Sequence, residues 1–262
     1  MDLGVQGKTV IVTGGSKGIG SGISKAFVLE GANVVVNYRS DPDHAEAFAK
    51  DLTAMGPGRA VAVQGDVTAE RDVARLFSKA IELFGQVDVL VNNAGLVDLR
   101  TVEIKDMTLE QFEHMVRNNT SSMFLCSREM VRHVLSRGFG GAHIINVLSK
   151  ASVSSTSPGQ THYVTSKAGT MGFTKSLAAE VTRYGIHVNG IMPGFVYNQF
   201  HERTARENPE QWEKELETME RRSPIGRIAQ PEDMGWMCVM LSSDKTAFAV
   251  GACIDLTGGR LL

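Results

Sequence analysis

The sequence of 262 residues is short of cysteine and has no excess of basic residues, and both shortages exclude classes of protein. Its three cysteines, Cys126, Cys238 and Cys253, are odd in number, far apart and never in CxxC spacing. They therefore indicate neither a disulfide framework nor a zinc site, and they favour a reducing compartment. We expect no metal, because the sequence also contains no HExxH motif and no Cys/His cluster. A formal net charge of −2 argues against nucleic-acid binding.

Long apolar runs are also missing from the sequence. No stretch approaches the ~20 apolar residues that a membrane-spanning helix needs, and the amino terminus lacks the basic and apolar segments of a signal peptide. Apolar residues nevertheless make up 42% of the chain and charged residues 21%, as in ordinary globular proteins. We therefore expect a soluble cytoplasmic protein that binds neither a membrane nor a nucleic acid.

Short apolar runs alternate with helical patterns along the chain, and no long linker interrupts them. The runs show little polar alternation, which suits strands buried on both faces of a parallel sheet. The candidate strands lie in the segments KTVIVTGG, GANVVVNY, RAVAVQGD, VDVLVNNAG, AHIINVLS, GIHVNGIMPG and ACIDL. Helices are predicted near 42–55, 69–84 and 108–136 and from 160 onward. The alternation predicts one α/β domain over residues 1–262, a doubly wound Rossmann fold with a mostly or wholly parallel seven-stranded sheet.

Residues 195–224 break this alternation, because they are polar and helix-forming and contain no strand. They follow a strand, and ligands of such sheets bind outside the carboxyl ends of the strands. The segment is therefore a candidate helical insertion that closes over the substrate. Its composition alone fits a surface helical hairpin equally well.

A glycine-rich turn, residues 13–20 (TGGSKGIG), joins the first strand to the first helix. Glycines at this junction let a pyrophosphate approach backbone N–H groups at the helix N-terminus, so the turn predicts a dinucleotide site. Two rival motifs fit less well. Ser16 stands in a formal GxSxG nucleophile elbow, but a hydrolase is expected to place that serine after several strands. A phosphate-binding P-loop needs Lys and then Ser or Thr after its last glycine, whereas Gly20 is followed by Ser21.

The end of the second strand predicts which dinucleotide is bound. An acid there holds the ribose 2′-hydroxyl of NAD, whereas an arginine nearby accommodates the 2′-phosphate of NADP. This chain has Asn37 and Arg39 at that place, with Lys17 of the glycine turn as a second cation. Asp41 is close by in the sequence and opposes the two cations. The charges therefore favour NADP, with NAD as the alternative.

Four motifs occur together in the order and spacing of the short-chain dehydrogenase/reductases. They are TGGSKGIG, NNAG at 92–95, YVTSK at 163–167 and PG at 193–194. The chain resembles most the branch that contains 3-oxoacyl-carrier-protein reductases and bacterial glucose dehydrogenases. The resemblance implies an oxidoreductase that transfers a hydride between a nicotinamide cofactor and a small carbonyl or alcohol substrate, and it implies a homotetramer.

The resemblance also implies a catalytic role for four residues. Tyr163 would exchange a proton with the substrate oxygen, and Lys167 would bind the nicotinamide ribose and lower the pKa of Tyr163. Ser149 would hydrogen-bond the same substrate oxygen, and Asn119 would hold a water in the proton relay. A phenol needs such help, because its free pKa near 10 is poorly matched to neutral pH.

The glycine turn and the end of the second strand predict part of the cofactor site, and the resemblance implies the rest, including a second role for Tyr163 and Lys167. The residues expected to line the cofactor are Gly14, Ser16, Lys17, Gly18, Ile19, Gly20, Asn37, Tyr38, Arg39, Asp66, Val67, Asn93, Ala94, Gly95, Tyr163, Lys167, Pro193, Gly194 and Val196.

The chain departs from the family pattern at two places. The family commonly has its serine thirteen residues before the tyrosine, where this chain has Lys150, while Ser149 is fourteen before it. Ser149 follows its strand as the family serine does, and Ser152 is the alternative. Asn198 stands where the family often has a threonine against the nicotinamide carboxamide. His162, beside the tyrosine, is interpreted as a structural or substrate-wall residue, because adjacent helix residues point apart.

Two other functions stay open from the sequence. The first is a 3-oxoacyl-carrier-protein reductase, a more specific form of the same activity. The second is a regulator that binds a dinucleotide and has no catalytic activity. Arginines 128, 132 and 137 on the long central helix fit an acidic acyl carrier, but they fit an ordinary exposed helix face as well.

Overall fold

The computed structural model describes residues 2–97, 101–138, 140–154 and 158–262. Within these residues seven strands form one wholly parallel sheet in the order β3-β2-β1-β4-β5-β6-β7, which confirms the predicted fold class. The strands are β1 (Thr9–Val12), β2 (Asn33–Tyr38), β3 (Arg59–Gln64), β4 (Val89–Asn92), β5 (Ala142–Val147), β6 (Ile186–Pro193) and β7 (Cys253–Leu256).

Helices connect the strands and cover both faces of the sheet. They are α1 (Gly18–Leu29), α2 (Pro42–Met55), α3 (Glu70–Phe84), α4 (Leu109–Val116), α5 (Ser122–Ser136), α6 (Thr161–Val181), α7 (Gln199–Glu207), α8 (Pro209–Arg221) and α9 (Pro231–Leu241). One apolar core lies between the sheet and the side of α1 and α9, and another lies on the side of α3, α5 and α6. The central strands are buried on both faces, as their uninterrupted valines and isoleucines predicted.

The strand order reverses its direction at β1. From β1 the chain moves outward to β2 and β3, and then returns to place β4 on the other side of β1. Val10 accordingly pairs with Val34 of β2 and with Val89 of β4. In open parallel sheets such a switch point leaves a crevice at the carboxyl ends of the strands, where ligands bind. The segments that follow β1 and β4 border this crevice.

The predicted long helix over 108–136 is interrupted by one turn of π-helix, Arg117–Ser121, between α4 and α5. Such a turn inserts an extra residue into the helix, and it recurs at functional sites. Its central residue is Asn119, whose amide bonds to Leu96 and Ser166, outside the helix, and to Met115 Sδ within α4. The sequence pattern of the helix carries no mark of this change, because the bonding partners lie elsewhere in the chain.

The polar segment after β6 forms the helices α7 and α8, as expected for a helical insertion. Tyr197, His201 and Trp212 pack against one another at its base, with ring centroids 5.2–5.9 Å apart. These contacts hold the two helices together at the carboxyl edge of the sheet, beside the end of β6.

The described helices include none with the length and apolar content required to cross a bilayer. The thiols of Cys126 and Cys238 are buried and free, and burial raises the pKa of Cys126 to about 12. Both therefore serve as small apolar residues of the core.

Candidate active site

Tyr163 lies at the start of α6, next to the loop that follows β5. Its hydroxyl donates a hydrogen bond to Ser149 Oγ at 3.2 Å. Ser152, the alternative serine, lies one helical turn further on, in the short 3₁₀ segment Lys150–Ser152. Its Oγ accepts a hydrogen bond from the backbone N–H of Ser149 at 3.3 Å. Of the two candidate serines, the structure therefore brings Ser149 to the phenol, while Ser152 caps the loop.

Lys167 lies one turn along α6 from Tyr163, and its side chain is almost fully buried. Its ammonium donates to the carbonyl of Val147, the last residue of β5, at 3.1 Å. Burial lowers the pKa of Lys167 to about 8, because the charged form loses its hydration. The ammonium thus sits at the carboxyl end of β5, on the same side as Ser149.

The pKa of Tyr163 differs from the expectation that Lys167 lowers it. Burial of the phenol raises its pKa, and the hydrogen bond with Ser149 opposes that shift only in part. The ionised phenolate would have to lose water in this environment, which is the larger effect here. The chain by itself therefore keeps Tyr163 as a protonated phenol at neutral pH.

Asn119 in the π-turn joins three parts of the site. Its Oδ1 accepts from the backbone N–H of Leu96 at 2.7 Å, and its Nδ2 donates to Leu96 O at 3.1 Å and to Ser166 Oγ at 2.9 Å. The loop after β4 must come close for these bonds to form. A Cβ on Gly95 would lie 2.7 Å from Asn119 Oδ1 and 3.7 Å from Lys167 Nζ, so only glycine fits there. Ser166 was not predicted, although it lies within the YVTSK motif.

The glycine turn and the start of α1 offer a place for an anion. Gly14 and Gly18 have φ angles of +60° and +52°, which side-chain-bearing residues rarely adopt. A Cβ on Gly20 would lie 2.2 Å from Gly14 O, so that position also requires glycine. Within the described chain α1 has neither a capping side chain nor an acid in its first turn. The positive end of its dipole is therefore left for a ligand.

Thr13 ties the glycine turn to the NNAG loop across the switch point. Its Oγ1 accepts from the backbone N–H groups of Asn93 at 2.9 Å and Ala94 at 3.0 Å. In return Asn93 Nδ2 donates to Thr13 O at 2.9 Å and to Gly14 O at 3.1 Å. The two predicted cofactor segments thus form one hydrogen-bonded unit. Thr13 was missed as a site residue, although a threonine directly before the turn glycines was a signal for it.

Asn37, predicted as a cofactor contact, uses its side chain within the protein. It is 2% exposed, and its Oδ1 accepts from Gly14 N at 3.2 Å. Its Nδ2 donates to Gly65 O at 3.0 Å and to Val63 O at 3.3 Å. The side chain therefore fixes the glycine turn to β2 and β3. Tyr38, the last residue of β2, is buried as well, and Arg39, which directly follows the strand, is exposed. Val67, which follows β3, is also buried.

Asp66 lies after β3 and is only partly buried. Its Oδ1 accepts from the backbone N–H of Thr68 at 2.9 Å and from the Thr68 hydroxyl at 2.8 Å. This turn holds the carboxylate at the carboxyl edge of the sheet, on the same border as the glycine turn.

The segment after β6 closes the other side of the crevice. A Cβ on Gly194 would lie 2.8 Å from Thr257 Cα, so the loop passes tightly by the end of β7. Val196 pairs with Ala229 in an isolated parallel bridge. Asn198 donates to Val196 O at 3.3 Å, and its Cβ is the nearest atom, at 3.9 Å, to a Cβ built on Gly18. The base of the helical insertion thus lies beside the start of α1.

The remaining candidates are a buried histidine and three paired arginines. His162 is 2% exposed, and its Nδ1 has no hydrogen-bond partner within the described residues. Arg128 pairs with Glu70, Arg132 with Glu129 at 3.6 Å, and Arg137 with Asp88 at 3.2 Å. Each of the three arginines therefore has a carboxylate partner on the chain.

No group of three His, Cys, Asp or Glu side chains in the described ranges is arranged to hold a metal ion. The side chains gathered beside the end of β5 are the Tyr163 phenol, the Ser149 hydroxyl and the Lys167 ammonium, with the Asn119 amide in the neighbouring π-turn.

Known proteins resemble this chain over nearly its whole length. A family profile described as short chain dehydrogenase matches residues 8–209. Glucose 1-dehydrogenase 2 of Bacillus subtilis is 34% identical over 258 residues, which cover 98% of this chain and 95% of the relative. A 3-oxoacyl-[acyl-carrier-protein] reductase of Synechocystis is 32% identical over 256 residues, 97% of each chain. A solved short-chain dehydrogenase/reductase from Serratia marcescens has a TM-score of 0.86 at 29% identity, covering 98% of this chain and 99% of that one.

Proposed function

This chain belongs to the short-chain dehydrogenase family, and we propose that it is an NADP-dependent oxidoreductase in which Tyr163 is the general acid and base. The proposed reaction moves a hydride between the nicotinamide cofactor and a small or medium-sized carbonyl or alcohol substrate. The observation that carries the proposal is the hydrogen bond of 3.2 Å from Tyr163 OH to Ser149 Oγ, with the buried Lys167 one turn away.

The residues at the switch point fit a dinucleotide. Backbone N–H groups of Ser16 to Gly20 would meet the pyrophosphate at the uncapped start of α1. The NNAG loop, Lys167 and Val196 would lie along the nicotinamide half, and Asp66 would meet the adenine. Lys17 and Arg39 are the two cations for a 2′-phosphate, which supports NADP over NAD. The cofactor supplies the hydride, and the protein supplies position, charge and the proton.

Tyr163 is suited to give a proton in the direction of carbonyl reduction. Hydride transfer to a carbonyl carbon leaves negative charge on the oxygen, and a positioned acid must neutralise it. Burial raises the pKa of Tyr163, so the proton is present at neutral pH. The Ser149 hydroxyl, which touches the phenol, would donate to the same oxygen and polarise the carbonyl. Asn119 would hold the loop after β4 and a relay water in place.

The proposals for the substrate and for the oligomeric state rest on similarity to known proteins of the family. One relative is named for glucose and another for a 3-oxoacyl carrier protein, so the family admits substrates of very different size. We propose that α7 and α8 close over the substrate, and that the protein works in the cytoplasm as a homotetramer. The pairing of Arg128, Arg132 and Arg137 with carboxylates gives no particular support to an acyl carrier.

The function is tested by cofactor oxidation against a panel of carbonyl compounds. NADPH and NADH are titrated separately into the protein, and each complex is then mixed with ketones, aldoses and 3-oxoacyl thioesters while absorbance at the nicotinamide band is followed. We expect NADPH to bind and to be oxidised by at least one class. Binding without oxidation across the whole panel would instead support the silent regulator, and no binding of either cofactor would refute both functions.

Ser149 and Ser152 provide a matched pair of variants. We expect Ser149→Ala to lower kcat for the substrate found in the panel on the order of 10²-fold, because a hydrogen bond to the developing oxyanion is lost. Ser152→Ala removes the same atom from a serine that caps the loop, and its kcat should stay within about threefold of wild type. Steady-state kinetics at saturating NADPH measures both. A larger loss in Ser152→Ala would assign the catalytic role to that serine.

A further inference from the structure

Asp41 has the one left-handed backbone among the described residues other than glycine, with a φ of +78°. It precedes α2, and its carboxylate caps that helix by accepting from the backbone N–H of His44 at 3.3 Å. Asp and Asn tolerate this conformation better than other residues with side chains. The left-handed turn directs the chain so that the start of α2 comes back against the glycine turn.

Two contacts fix that approach. The Asp41 carboxylate accepts a hydrogen bond from Lys17 Nζ at 2.5 Å and forms an ion pair with it. His44 Nε2 lies 3.0 Å from the carbonyl of Ser16, which can only accept, so the imidazole donates. Lys17 and Ser16 both belong to the glycine turn. The carboxylate of Asp41 is therefore held at the turn rather than pointing freely into solvent.

The ion pair joins a predicted cofactor cation to an acid. Lys17 and Arg39 are the cations that would bind the 2′-phosphate of NADP, and Arg39 is only two residues from Asp41. Lys17 already forms an ion pair with the carboxylate, whose pKa is lowered chiefly by the hydrogen bond from Lys17. A phosphate dianion would have to compete with Asp41 for Lys17, and the Asp41 carboxylate would also repel the phosphate. A ribose hydroxyl would meet neither cost, because it can donate to a carboxylate.

We propose that Asp41 limits the preference for NADPH by competing with the 2′-phosphate for Lys17, so that NADH is accepted as well. The inference rests on the proposed dinucleotide-dependent function and names the side chain that sets its cofactor specificity. Lys17 and Arg39 attract the phosphate, and Asp41 opposes them. Replacing Asp41 by a neutral residue should therefore strengthen NADPH binding and leave NADH nearly unchanged.

Asp41→Asn is the most direct variant, because asparagine keeps both the left-handed conformation and the helix cap and removes only the charge. Dissociation constants for NADPH and NADH are measured by fluorescence titration without substrate. We expect Kd for NADPH to fall about five- to tenfold. An exposed ion pair contributes up to roughly 1 kcal/mol, which is about fivefold in Kd, and the loss of repulsion between Asp41 and the phosphate adds to it. Kd for NADH should change less than about twofold. Asp41→Gly, which also suits a positive φ, should act in the same direction.

Asp43→Asn is the matched control. Asp43 is exposed in the first turn of the same helix, so this variant removes an equal charge away from Lys17. The control should keep the wild-type ratio of the two dissociation constants. A shift in the control as large as in Asp41→Asn would assign the effect to net charge and overturn the proposal, as would an unchanged ratio in Asp41→Asn.

A Lys17→Met background tests the competition itself. Asp41→Asn should strengthen NADPH binding less in that background than in the wild type, since the contested cation is missing. An equal gain in both backgrounds would overturn competition for Lys17. Failure of the wild-type protein to bind either cofactor would instead refute the proposed function, so the two failures are distinguishable.

Discussion

Tyr163→Phe is expected to lower kcat for carbonyl reduction on the order of 10³-fold, while Kd for NADPH stays within about twofold of wild type. The variant removes the hydroxyl that is proposed to transfer the proton and leaves the ring in its position between α6 and the loop after β5. Tyr163 is 9% exposed, so the phenylalanine ring fills the same space without a cavity.

Tyr184→Phe is the control for this prediction. Tyr184 ends the 3₁₀ turn Thr182–Tyr184 at the opposite end of α6, and its ring is stacked under the Arg183 guanidinium. Removing its hydroxyl should leave kcat unchanged. Single-turnover oxidation of bound NADPH, followed beside a direct cofactor titration, separates chemistry from binding. Turnover near the wild-type rate in Tyr163→Phe would sink the proposed mechanism, whereas loss of NADPH binding would mean that the variant disturbed the fold.

Local patterns in the sequence were sufficient to predict most of the fold. Strand β2 was found because three consecutive valines between Asn33 and Asn37 suit a strand that is covered on both faces. The turn at residues 13–20 was placed at the first junction because its glycines follow a β-branched run. The spacing of four between Tyr163 and Lys167 required only that the segment be helical, which α6 confirms.

Features that depend on distant partners were not predictable. The π-turn places Asn119 where it hydrogen-bonds to Leu96 and Ser166, and both partners are remote from it in the sequence. Asn37 was read as a cofactor contact from its place at the end of β2, but Gly14 and Gly65 occupy its amide. The raised pKa of Tyr163 likewise reflects burial, which is a property of the assembled site. In each case the residue type was informative, and its partner decided the role.

The second large effect is expected from Lys167→Met, which removes the buried ammonium and keeps a side chain of similar length. We expect kcat to fall on the order of 10²-fold, because the charge that favours an oxyanion beside it is lost. The pH dependence identifies the group. Lys167 has its pKa lowered to about 8 by burial, so it is charged below that pH and neutral above it. The wild-type kcat/KM for NADPH, which reports the free enzyme, should therefore decline as pH rises through about 8.

The opposite shifts of the two groups make this assignment testable. Tyr163 has a raised pKa and keeps its proton past the point where Lys167 loses its own, so the phenol does not account for a decline near pH 8. Lys167→Met should lose that decline together with most of its activity, since nothing remains to titrate there. Lys175→Met, on the same helix, removes another lysine and should keep the wild-type profile. A decline near pH 8 that persists in Lys167→Met would show that another group titrates there. It would contradict the proposal that the charge of Lys167 assists proton transfer.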